Sequence, residues 1–268
     1  MIELVDVRLD HPQGGDAIVS GANLKVTRGE VVMVVGAAGV GTSRLVAASL
    51  GEVTPNAGRI EVMGHDLRKL RRASLRLLRR RVGIIPQDLC LLEDRSAQLN
   101  VVLPLEIDGI PRSHSIVRAG EVLEQLGLED EASLPVECLS AAERQRVAVA
   151  RALIRRPEIV IADHPTSAQD AQGAQLVCAA LADAATRGAA VVIYGRDPAL
   201  RAIAERNAWR QLALVDQQLR PLADIASGVL DHLLDVQSAP VEAPEPESIE
   251  DMPNVVPFPL SARTAGVA

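Results

Sequence analysis

The sequence predicts an α/β fold with a mainly parallel sheet, a helical insertion and a separate C-terminal tail. Short runs rich in Val and Ile alternate along the chain with segments of helical periodicity, as in a sheet whose strands are joined by helices. Several of these runs are continuously apolar, which is typical of strands covered on both faces. The 268 residues are enough for one large domain with a buried core, and only marginally enough for two.

The predicted elements follow one another in a regular order. We expect strands at 2–7, 31–35, 59–63, 82–85, 158–163, 189–194 and 211–216. Helical segments lie between them, at 42–50, 67–80, 114–127, 140–156, 169–187 and 198–207. The interval 89–157 has several helical patterns and no convincing strand, so we expect a helical subdomain inserted in the α/β core.

The composition changes after residue 237, where Pro, Glu, Ser and Ala dominate the stretch SAPVEAPEPESIEDMPNVVPFPL. Such a segment cannot bury enough apolar surface to offset the entropy of ordering. We therefore expect a folded domain over 1–236 and a disordered, acidic, Pro-rich tail over 237–268.

Charge and aromatic content argue against nucleic acid as a partner. The net charge is −7, and the tail contributes −4 through five acids against Arg263, which leaves −3 for the body of the chain. A basic footprint is therefore not indicated. The only aromatic residues are Tyr194, Trp209 and Phe258, so surfaces for stacking bases are not expected either.

The cysteines and the hydropathy pattern predict a cytoplasmic protein. Cys90, Cys138 and Cys178 are odd in number and form no CxxC pair, so we expect small core residues in a reducing compartment. No apolar run approaches the roughly 18 residues that a membrane span requires. The first residues, MIELVDV, lack the features of a signal peptide. Contact with a membrane would therefore need a partner.

A glycine-rich loop follows the VVMVV run and leads directly into a helical segment. Gly36, Gly39 and Gly41 fit the P-loop pattern G-x-x-x-x-G-K-[ST], which here ends at Ser43. Glycine is needed because backbone N–H groups must turn inward around phosphate oxygens, and the helix N-terminus adds a positive dipole. The loop predicts a nucleotide site; taken alone, it is also compatible with a glycine-rich turn that binds nothing.

The lysine of that pattern is absent, because its position holds Thr42. Lysine would contact the β and γ phosphates, and a charge-assisted hydrogen bond contributes about 1.5–3 kcal/mol. We therefore expect nucleotide affinity to be lower by about one or two powers of ten. Arg44 is the alternative cation, although its side chain should leave the helix in a different direction. Ser43 retains a hydroxyl for Mg²⁺.

Two further stretches carry a more specific pattern. LSAAERQRVAVARAL begins at Leu139, and RRPEIVIADHPTSAQD ends at Asp170. In this order they resemble the signature helix, Walker B strand and D-loop of ABC-type ATPases, and VGIIPQDLCLLEDRSAQLNVVLPL at 82–105 is similar to the Q-loop segment. The resemblance covers roughly residues 1–220 and implies a P-loop ABC ATPase core.

Within that superfamily, four stretches look most like the cell-division ATP-binding subunit FtsE. They are GHDLRKL, LRRRVGIIPQD, LLEDRSAQLNV and IADHPTSAQD. Lipoprotein-export and macrolide-export ATPases share much of this pattern and remain related alternatives.

The resemblance assigns roles to several residues that are retained. Gln87 matches the Q-loop glutamine that senses Mg²⁺ and the membrane partner, and Asp163 matches the Walker B aspartate. With Ser43 they form the predicted Mg²⁺ set. Ser140 of the signature and Asp170 of the D-loop complete the predicted nucleotide-binding residues. Both also fit capping positions at the start of helices, which folding requires without any ATP.

Other expected residues are replaced. His11 stands where the family usually has an adenine-stacking aromatic, His164 stands at the position of the glutamate that polarises water, and Arg196 at that of the switch histidine. Ala141 and Ala142 replace the signature glycines and add methyl groups where backbone approaches the γ-phosphate held by the opposite subunit. We therefore expect His164 and Arg196 to be largely inactive catalytic positions.

These replacements predict slow turnover. Losing a general base costs about 10²–10⁴-fold in rate, and losing a transition-state donor costs about 10²–10³-fold. His164 acting as the base stays open, because an imidazole titrates near neutrality.

The leading hypothesis is a catalytically impaired, FtsE-like subunit that senses nucleotide or serves as a scaffold. It implies weak ATP and Mg²⁺ binding, and a homodimer or an ABC heterodimer docked on an FtsX-like or other permease at the inner face of the plasma membrane. The first alternative is a working ABC ATPase that energises such a partner. The second is a nucleotide-independent relic with no partner.

A dense basic run precedes the Q-loop strand. We interpret it as a solvated helix face; the alternative is a face toward anionic lipid headgroups, at about 1 kcal/mol per contact. Its members are Arg68, Lys69, Arg71, Arg72, Arg76, Arg79, Arg80 and Arg81.

Overall fold

The computed structural model describes residues 1–11, 13–37, 39–226 and 229. The tail predicted at 237–268 lies outside the described residues. The strands are β1 (Ile2–Asp10), β2 (Ala17–Val26), β3 (Val31–Gly36), β4 (Ala57–Val62), β5 (His65–Asp66), β6 (Val82–Ile85), β7 (Ile159–Asp163), β8 (Ala190–Tyr194), β9 (Arg210–Val215) and β10 (Gln218–Pro221). The α-helices are α1 (Thr42–Ser49), α2 (Arg72–Arg79), α3 (Ala97–Ile107), α4 (Arg112–Gln125), α5 (Ala141–Leu153), α6 (Ala171–Thr186) and α7 (Pro198–Arg206).

The larger sheet has the strand order β10-β9-β3-β8-β7-β6. The strands from β9 to β6 are parallel, and β10 pairs antiparallel with β9 at the edge. The predicted α/β fold with a mainly parallel sheet is confirmed. Because the carboxyl ends of parallel strands share one edge, the residues that follow β3, β8 and β7 come together there.

The smaller sheet is antiparallel and has the order β2-β1-β4-β5. Strand β2 was not predicted, and its burial alternates along much of its length because one face is exposed. Ser20, Gly21 and Asn23 interrupt its apolar pattern, and its register with β1 shifts at several points. A strand of this kind lacks the continuous apolar run that marks a strand covered on both faces.

Strand β3 is buried on both faces. Met33 and Val35 pack into the cluster formed with the helices, whereas Val32 and Val34 pack into the cluster formed with the antiparallel sheet. Successive side chains of a strand point to opposite faces, so a strand between two apolar layers needs apolar residues at every position. This explains the continuous VVMVV run.

Three helices, α3, α4 and α5, follow one another between β6 and β7, in the interval where a helical subdomain was predicted. The assignment of this interval as a subdomain, and the boundary of the folded domain at 236, stay predictions. Helix α3 was not predicted, because it is apolar around most of its circumference and contains Pro104, so no helical periodicity marks it.

The helix predicted at 67–80 is wrong in its first part. A short 3₁₀ turn at Leu67–Lys69 is followed by extended backbone at Leu70 and Arg71, and α2 begins only at Arg72. The Asp66 side chain accepts a hydrogen bond from the Arg68 amide, which favours the separate turn. In the part of the chain that the structure describes, no helix has the length and apolar character needed to cross a bilayer.

The cysteines differ in exposure, which corrects the expectation that all of them are core residues. Cys178 of α6 is buried, and burial raises the pKa of its thiol to about 12. Cys90 and Cys138 are exposed. The Cys90 thiol donates to Asp88 Oδ1 at 3.0 Å, and this hydrogen bond raises the pKa of Cys90 above its usual value.

We expect iodoacetamide at mildly alkaline pH to modify Cys138 first, Cys90 more slowly, and Cys178 only after unfolding. The reason is that the thiolate is the reactive form, and it is suppressed at Cys90 and more strongly at Cys178. Peptide mass spectrometry over a time course measures the order. Modification of Cys178 in the folded protein as fast as Cys138 would contradict the burial described above.

Candidate nucleotide site

The carboxyl edge of the parallel sheet gathers three of the predicted segments. Val34 of β3 and Asp163 of β7 are each in register with Tyr194 of β8. The Gly195 amide donates to the Val34 carbonyl at 3.2 Å, and the His164 amide donates to the Tyr194 carbonyl at 2.7 Å. The glycine loop, the Asp163–His164 pair and the chain leading to Arg196 therefore leave the sheet side by side.

The glycine loop needs glycine at two of its positions for different reasons. A Cβ on Gly36 would lie 2.7 Å from Val40 Cγ1 and 2.8 Å from Thr42 Cγ2, so a side chain does not fit there. Gly41 is the N-cap of α1 with a φ of 108°, in the left-handed region that favours glycine. No side chain among the described residues caps α1, so its first N–H groups can bind an anion.

The position of the P-loop lysine holds a side chain without charge. Thr42 begins α1, and its methyl group lies against the Gly36 backbone. Arg44, on the same turn, is partly buried, and its Nε has no hydrogen-bond partner within the described residues. Arg44 therefore stays the open alternative for the missing cation.

Asp163 is a buried acid at the end of β7, only 5% exposed. Its Oδ1 has no hydrogen-bond partner within the part of the chain that the structure describes. Burial raises the pKa of Asp163, while the nearby His164 and the Ser43 hydroxyl lower it. A buried carboxylate oxygen without a partner is costly unless a cation or donor joins it.

The residues present fit Mg²⁺. Magnesium prefers oxygen ligands and is usually held by one or two carboxylates together with substrate phosphates. Asp163, Ser43 and Gln87 supply a carboxylate, a hydroxyl and an amide oxygen on the wall of one cavity. No cluster of three or more His, Cys, Asp or Glu ligands occurs among the described residues, so a cage made of protein alone is not offered. Magnesium bound here would supply positive charge to the phosphates.

His164 occupies a backbone position that is firmly held. Its φ of 52° is left-handed, and its carbonyl accepts hydrogen bonds from Gln145 Nε2 at 2.9 Å and from Ser167 Oγ at 3.1 Å. The imidazole Nε2 lies 4.0 Å from Asp163 Oδ1, and the side chain is 23% exposed. The ring therefore stands beside the predicted Mg²⁺ carboxylate with partial access to solvent.

The predicted signature residues begin α5. The Ser140 amide donates to Glu143 Oε2 at 2.7 Å, and the Glu143 amide donates to Ser140 Oγ at 3.3 Å, which is a complete capping box. The hydrogen bond from the Ser140 backbone lowers the pKa of Glu143. Ala141 and Ala142 form the first turn. Ser140 does not line the cavity that holds Ser43 and Asp163.

We expect Ser140→Ala to lower the free energy of unfolding by about 1 kcal/mol, as loss of an N-cap typically does. Because the pKa of Glu143 is lowered in the folded state, the contribution of its carboxylate is present above the unfolded pKa and is lost as pH falls through the folded pKa. Urea denaturation measures the change. Ser113→Ala in α4, where the N-cap is Pro111 and no side chain caps, is the matched control. Equal effects of the two substitutions would contradict the cap.

Gln145 joins the signature helix to the turn after β7. Its side chain is almost fully buried and donates to the His164 carbonyl and to Ser167 Oγ. Its Oε1 accepts from the Ala168 amide at 3.1 Å and from Gln169 Nε2 at 3.1 Å. The predicted signature and D-loop segments are therefore held together within one chain.

The segment around Gln87 is held from the same helix. Leu89 and Cys90 have left-handed backbone, with φ of 57° and 45°. The Arg151 guanidinium of α5 donates to the carbonyls of both residues. Arg151 is partly buried, and this burial lowers its pKa. Helix α5 thus fixes the segment after Gln87 as well as the turn after Asp163.

Arg196 and Asp170 lie at neighbouring turns. Arg196 is partly exposed, and it makes no ion pair within the described ranges. The next residue, Asp197, accepts a 2.7 Å hydrogen bond from Thr166 Oγ1 and caps α7 through the Leu200 amide. Asp170 caps α6 by accepting from the Gly173 amide at 2.7 Å.

His11 lies in the turn of the β1–β2 hairpin and is exposed. Its Nδ1 accepts from the Gln13 amide at 3.3 Å, which fixes the turn. A Cβ on Gly41 would contact Ile18 and Val19 at 3.3–3.5 Å, so the start of β2 borders the glycine loop. The strand that follows His11 therefore runs close to the glycine loop, and the adenine contact of His11 stays a prediction.

Two residues that organise this edge were not predicted from the sequence: Gln145 and Arg151. Arg151 stands within the apolar run VAVARAL, and a long polar side chain in such a run is a signal for a specific partner. Gln145 lies among positions that carry the family pattern, and unlike Arg151 it gives no signal of its own. The partners of both residues are distant in sequence, so the pattern itself could not show them.

Comparison with known proteins agrees with this geometry. The family model described as ABC transporter matches residues 19–167, which is more than half of the chain. A methionine import ATP-binding protein of Brucella abortus strain 2308 is 38% identical over 183 residues, covering 68% of this chain and 49% of that protein. The corresponding protein of Caulobacter vibrioides is 42% identical over 170 residues, covering 63% of this chain and 51% of that protein. The chain thus spans about half the length of the curated relatives it matches.

Solved structures show the same fold. The dimeric bacterial ABC transporter cassette MJ0796 superimposes with a TM-score of 0.75 at 28% identity, covering 82% of this chain and 97% of that chain. The same cassette in a dimeric post-hydrolysis state with ADP and Pi gives a TM-score of 0.74 at 27% identity, with the same two coverages. The fold, the glycine loop with Asp163 beside it, and the family match lead to one conclusion: the chain belongs to the ABC transporter family and carries its ATP-binding domain.

Proposed function

We propose that this chain is the ATP-binding subunit of a membrane complex, in which it senses nucleotide and holds a permease while hydrolysing ATP very weakly or not at all. One observation carries the proposal. The edge that brings Ser43, Gln87 and Asp163 together has Thr42 in place of the phosphate-binding cation and His164 in place of the base. A nucleotide site built from these residues would lack the phosphate-binding cation and the base that hydrolysis requires.

A large groove supports the docking role. It has a volume of about 980 Å³ and extends from Ser43 and Asp163 between α1, β6 and α3. Its wall is largely apolar, and three arginines stand along it. This chemistry suits a short helix that presents an apolar face and acidic side chains. The residues concerned are Val46, Leu50, Ile84, Leu103 and Pro104 on the wall, with Arg79, Arg151 and Arg155.

A partner in this groove would contact the edge of the sheet that carries Ser43 and Asp163. Gln87 and Asp88 line the groove, and the following residues Leu89 and Cys90 are fixed by Arg151. A partner seated there would contact the segment that also borders the predicted Mg²⁺ residues. Binding of nucleotide and binding of the partner would then favour each other.

Two kinds of permease are candidates. The relatives named above are import ATP-binding proteins, and this favours an import permease, with an amino acid as the transported class. The stretches LLEDRSAQLNV and IADHPTSAQD favour an FtsX-like partner in cell division. In either case the chain would act at the inner face of the plasma membrane through its partner. A homodimer or an ABC heterodimer is supported by the dimeric structures that share the fold.

The test is affinity purification of the tagged full chain from detergent-solubilised membranes, followed by mass spectrometry. We expect a permease to co-purify with the native chain, to be lost with Leu103→Glu in the groove, and to be retained with Val117→Glu, an exposed apolar position on α4. The identity of the permease separates import from cell division. Recovery that is indifferent to Leu103→Glu would remove the groove from the proposal, and repeated absence of any permease would remove the partner.

A working ATPase is the second candidate, and a specific observation favours it. The Mg²⁺ residues are assembled, and the His164 imidazole lies 4.0 Å from Asp163 with partial solvent access. Histidine can act as a general base near neutral pH. The rate of ATP turnover by the native chain, with Asp163→Ala as control, separates the two candidates.

A further inference from the structure

A second cavity lies at the opposite edge of the parallel sheet from the glycine loop. Its volume is about 240 Å³, and it is bordered by the residues that precede β6 and β7. Glu158 precedes β7 and Asp163 ends it, so about 16 Å of strand separate this cavity from the predicted Mg²⁺ carboxylate. Five of the side chains that line the cavity are guanidinium groups: Arg80, Arg81, Arg118, Arg155 and Arg156.

Each of the two carboxylates that line this cavity already forms ion pairs with two arginines. Asp108 Oδ2 lies 2.6 Å from Arg155 Nε, and its Oδ1 lies 3.6 Å from Arg80. Glu158 Oε1 lies 2.5 Å from Arg81, and its Oε2 lies 3.3 Å from Arg28. The cavity is thus lined by five positively charged arginines and two negatively charged carboxylates, so its net charge is positive.

Arg118 and Arg156 are the two arginines of this cavity whose charge is not paired by any acid that the structure describes. Neither has an acidic partner within ion-pair distance among the described residues. Burial and the neighbouring Arg156 lower the pKa of Arg118, while Glu121 raises it. Arg156 has a φ of 51° just after α5 ends, a left-handed position where glycine or asparagine is favoured. Two neighbouring guanidinium groups thus line the cavity without an acidic side chain at ion-pair distance in the described part of the chain, which suits a bound anion.

We propose that this cavity is a binding site for a small compound with two or more phosphate charges, held by Arg118 and Arg156 and distinct from the nucleotide site. Arginine suits this role because its planar fork matches phosphate oxygens. The volume lies just below the range of about 300–1,000 Å³ that is usual for ligand pockets, which favours a small anion over a complete nucleoside triphosphate. The proposal does not depend on the function proposed above.

Phosphate groups have two possible sources, a soluble metabolite and a lipid headgroup. The probe for the first is inorganic pyrophosphate, titrated calorimetrically into the full chain with and without excess MgATP. The probe for the second is sedimentation with phosphatidylcholine vesicles that contain or lack phosphatidylglycerol. Each is carried out on the native chain, Arg118→Gln, Arg156→Gln and the matched control Arg206→Gln, an exposed arginine at the end of α7 outside the cavity.

We expect pyrophosphate binding that persists with MgATP, is weakened about tenfold or more by Arg118→Gln and by Arg156→Gln, and is unchanged by Arg206→Gln. Vesicle binding with the same arginine dependence, without pyrophosphate binding, would support the site with lipid as the source. Arg156 is exposed, so the effect of Arg156→Gln is used if Arg118→Gln lowers stability. Absence of binding to both probes, or losses that are equal in Arg206→Gln, would overturn the proposal. So would pyrophosphate binding that MgATP displaces and Arg156→Gln leaves intact.

Discussion

Thr42→Lys is expected to raise the affinity of this chain for MgATP by about ten- to a hundredfold. The substitution places an ammonium group at the start of α1, beside the loop whose glycines leave room for phosphate. The gain corresponds to one charge-assisted hydrogen bond of about 1.5–3 kcal/mol. Thr42 is partly exposed, so the longer side chain has room at this position.

Isothermal titration calorimetry of MgATP into the native chain and into Thr42→Lys measures the change. Arg44→Gln is the companion variant, because Arg44 is the alternative cation on the same turn. A native chain that already binds tightly, loses affinity with Arg44→Gln and gains little from Thr42→Lys would show that Arg44 supplies the charge. Absence of binding by both the native chain and Thr42→Lys would contradict a nucleotide site.

His164→Glu added to Thr42→Lys is expected to raise the rate of ATP hydrolysis by about 10²-fold over Thr42→Lys alone. Carboxylate at this position restores a base beside Asp163. The His164 backbone is held through its carbonyl by Gln145 and through its amide by Tyr194, so the new side chain starts from the same geometry. A general base typically contributes about 10²–10⁴-fold. We expect the lower value because Arg196 is unchanged and the effects of catalytic residues are not additive.

Phosphate release under saturating MgATP gives this rate, and Asp163→Ala in each background is the control. Every gain should vanish with Asp163→Ala, because that carboxylate is the predicted Mg²⁺ ligand. Native turnover near or above about 1 s⁻¹, the lower end of ordinary enzyme rates, would favour the working ATPase if Asp163→Ala abolished it. The proposal of weak hydrolysis would then be wrong.

The α/β fold could be predicted because its strongest signal is local. The VVMVV run is apolar at every position, since β3 is covered by apolar layers on both faces. Strand β2 and helix α3 escaped prediction for opposite reasons. Strand β2 has an exposed face and an irregular register, whereas helix α3 is apolar around most of its circumference. Neither therefore shows the hydrophobic repeat that is typical of its secondary structure.

The individual residues of the candidate site could be predicted from the sequence, but the contacts that join them could be predicted only in part. Gly36, Gly41 and Ser43 follow from the spacing of one loop, and Asp163 follows from the strand before it. The exposed Cys90 and Cys138 went against expectation, because a cysteine's burial depends on which elements cover it. The subfamily interpretation depended on short stretches, and the relatives named above are import proteins instead.

The α/β class, the glycine loop and the identity of the residues at its key positions, including Thr42 and His164, follow from the sequence. These depend on residue type and on spacing within a few turns of chain. Three features follow from the tertiary structure instead: Asp163 has a buried oxygen without a partner among the described residues, Gln145 and Arg151 join α5 to two separate turns, and arginines from distant segments share one cavity. Each of these depends on contacts between residues far apart in the chain, and such contacts are set by how the elements pack.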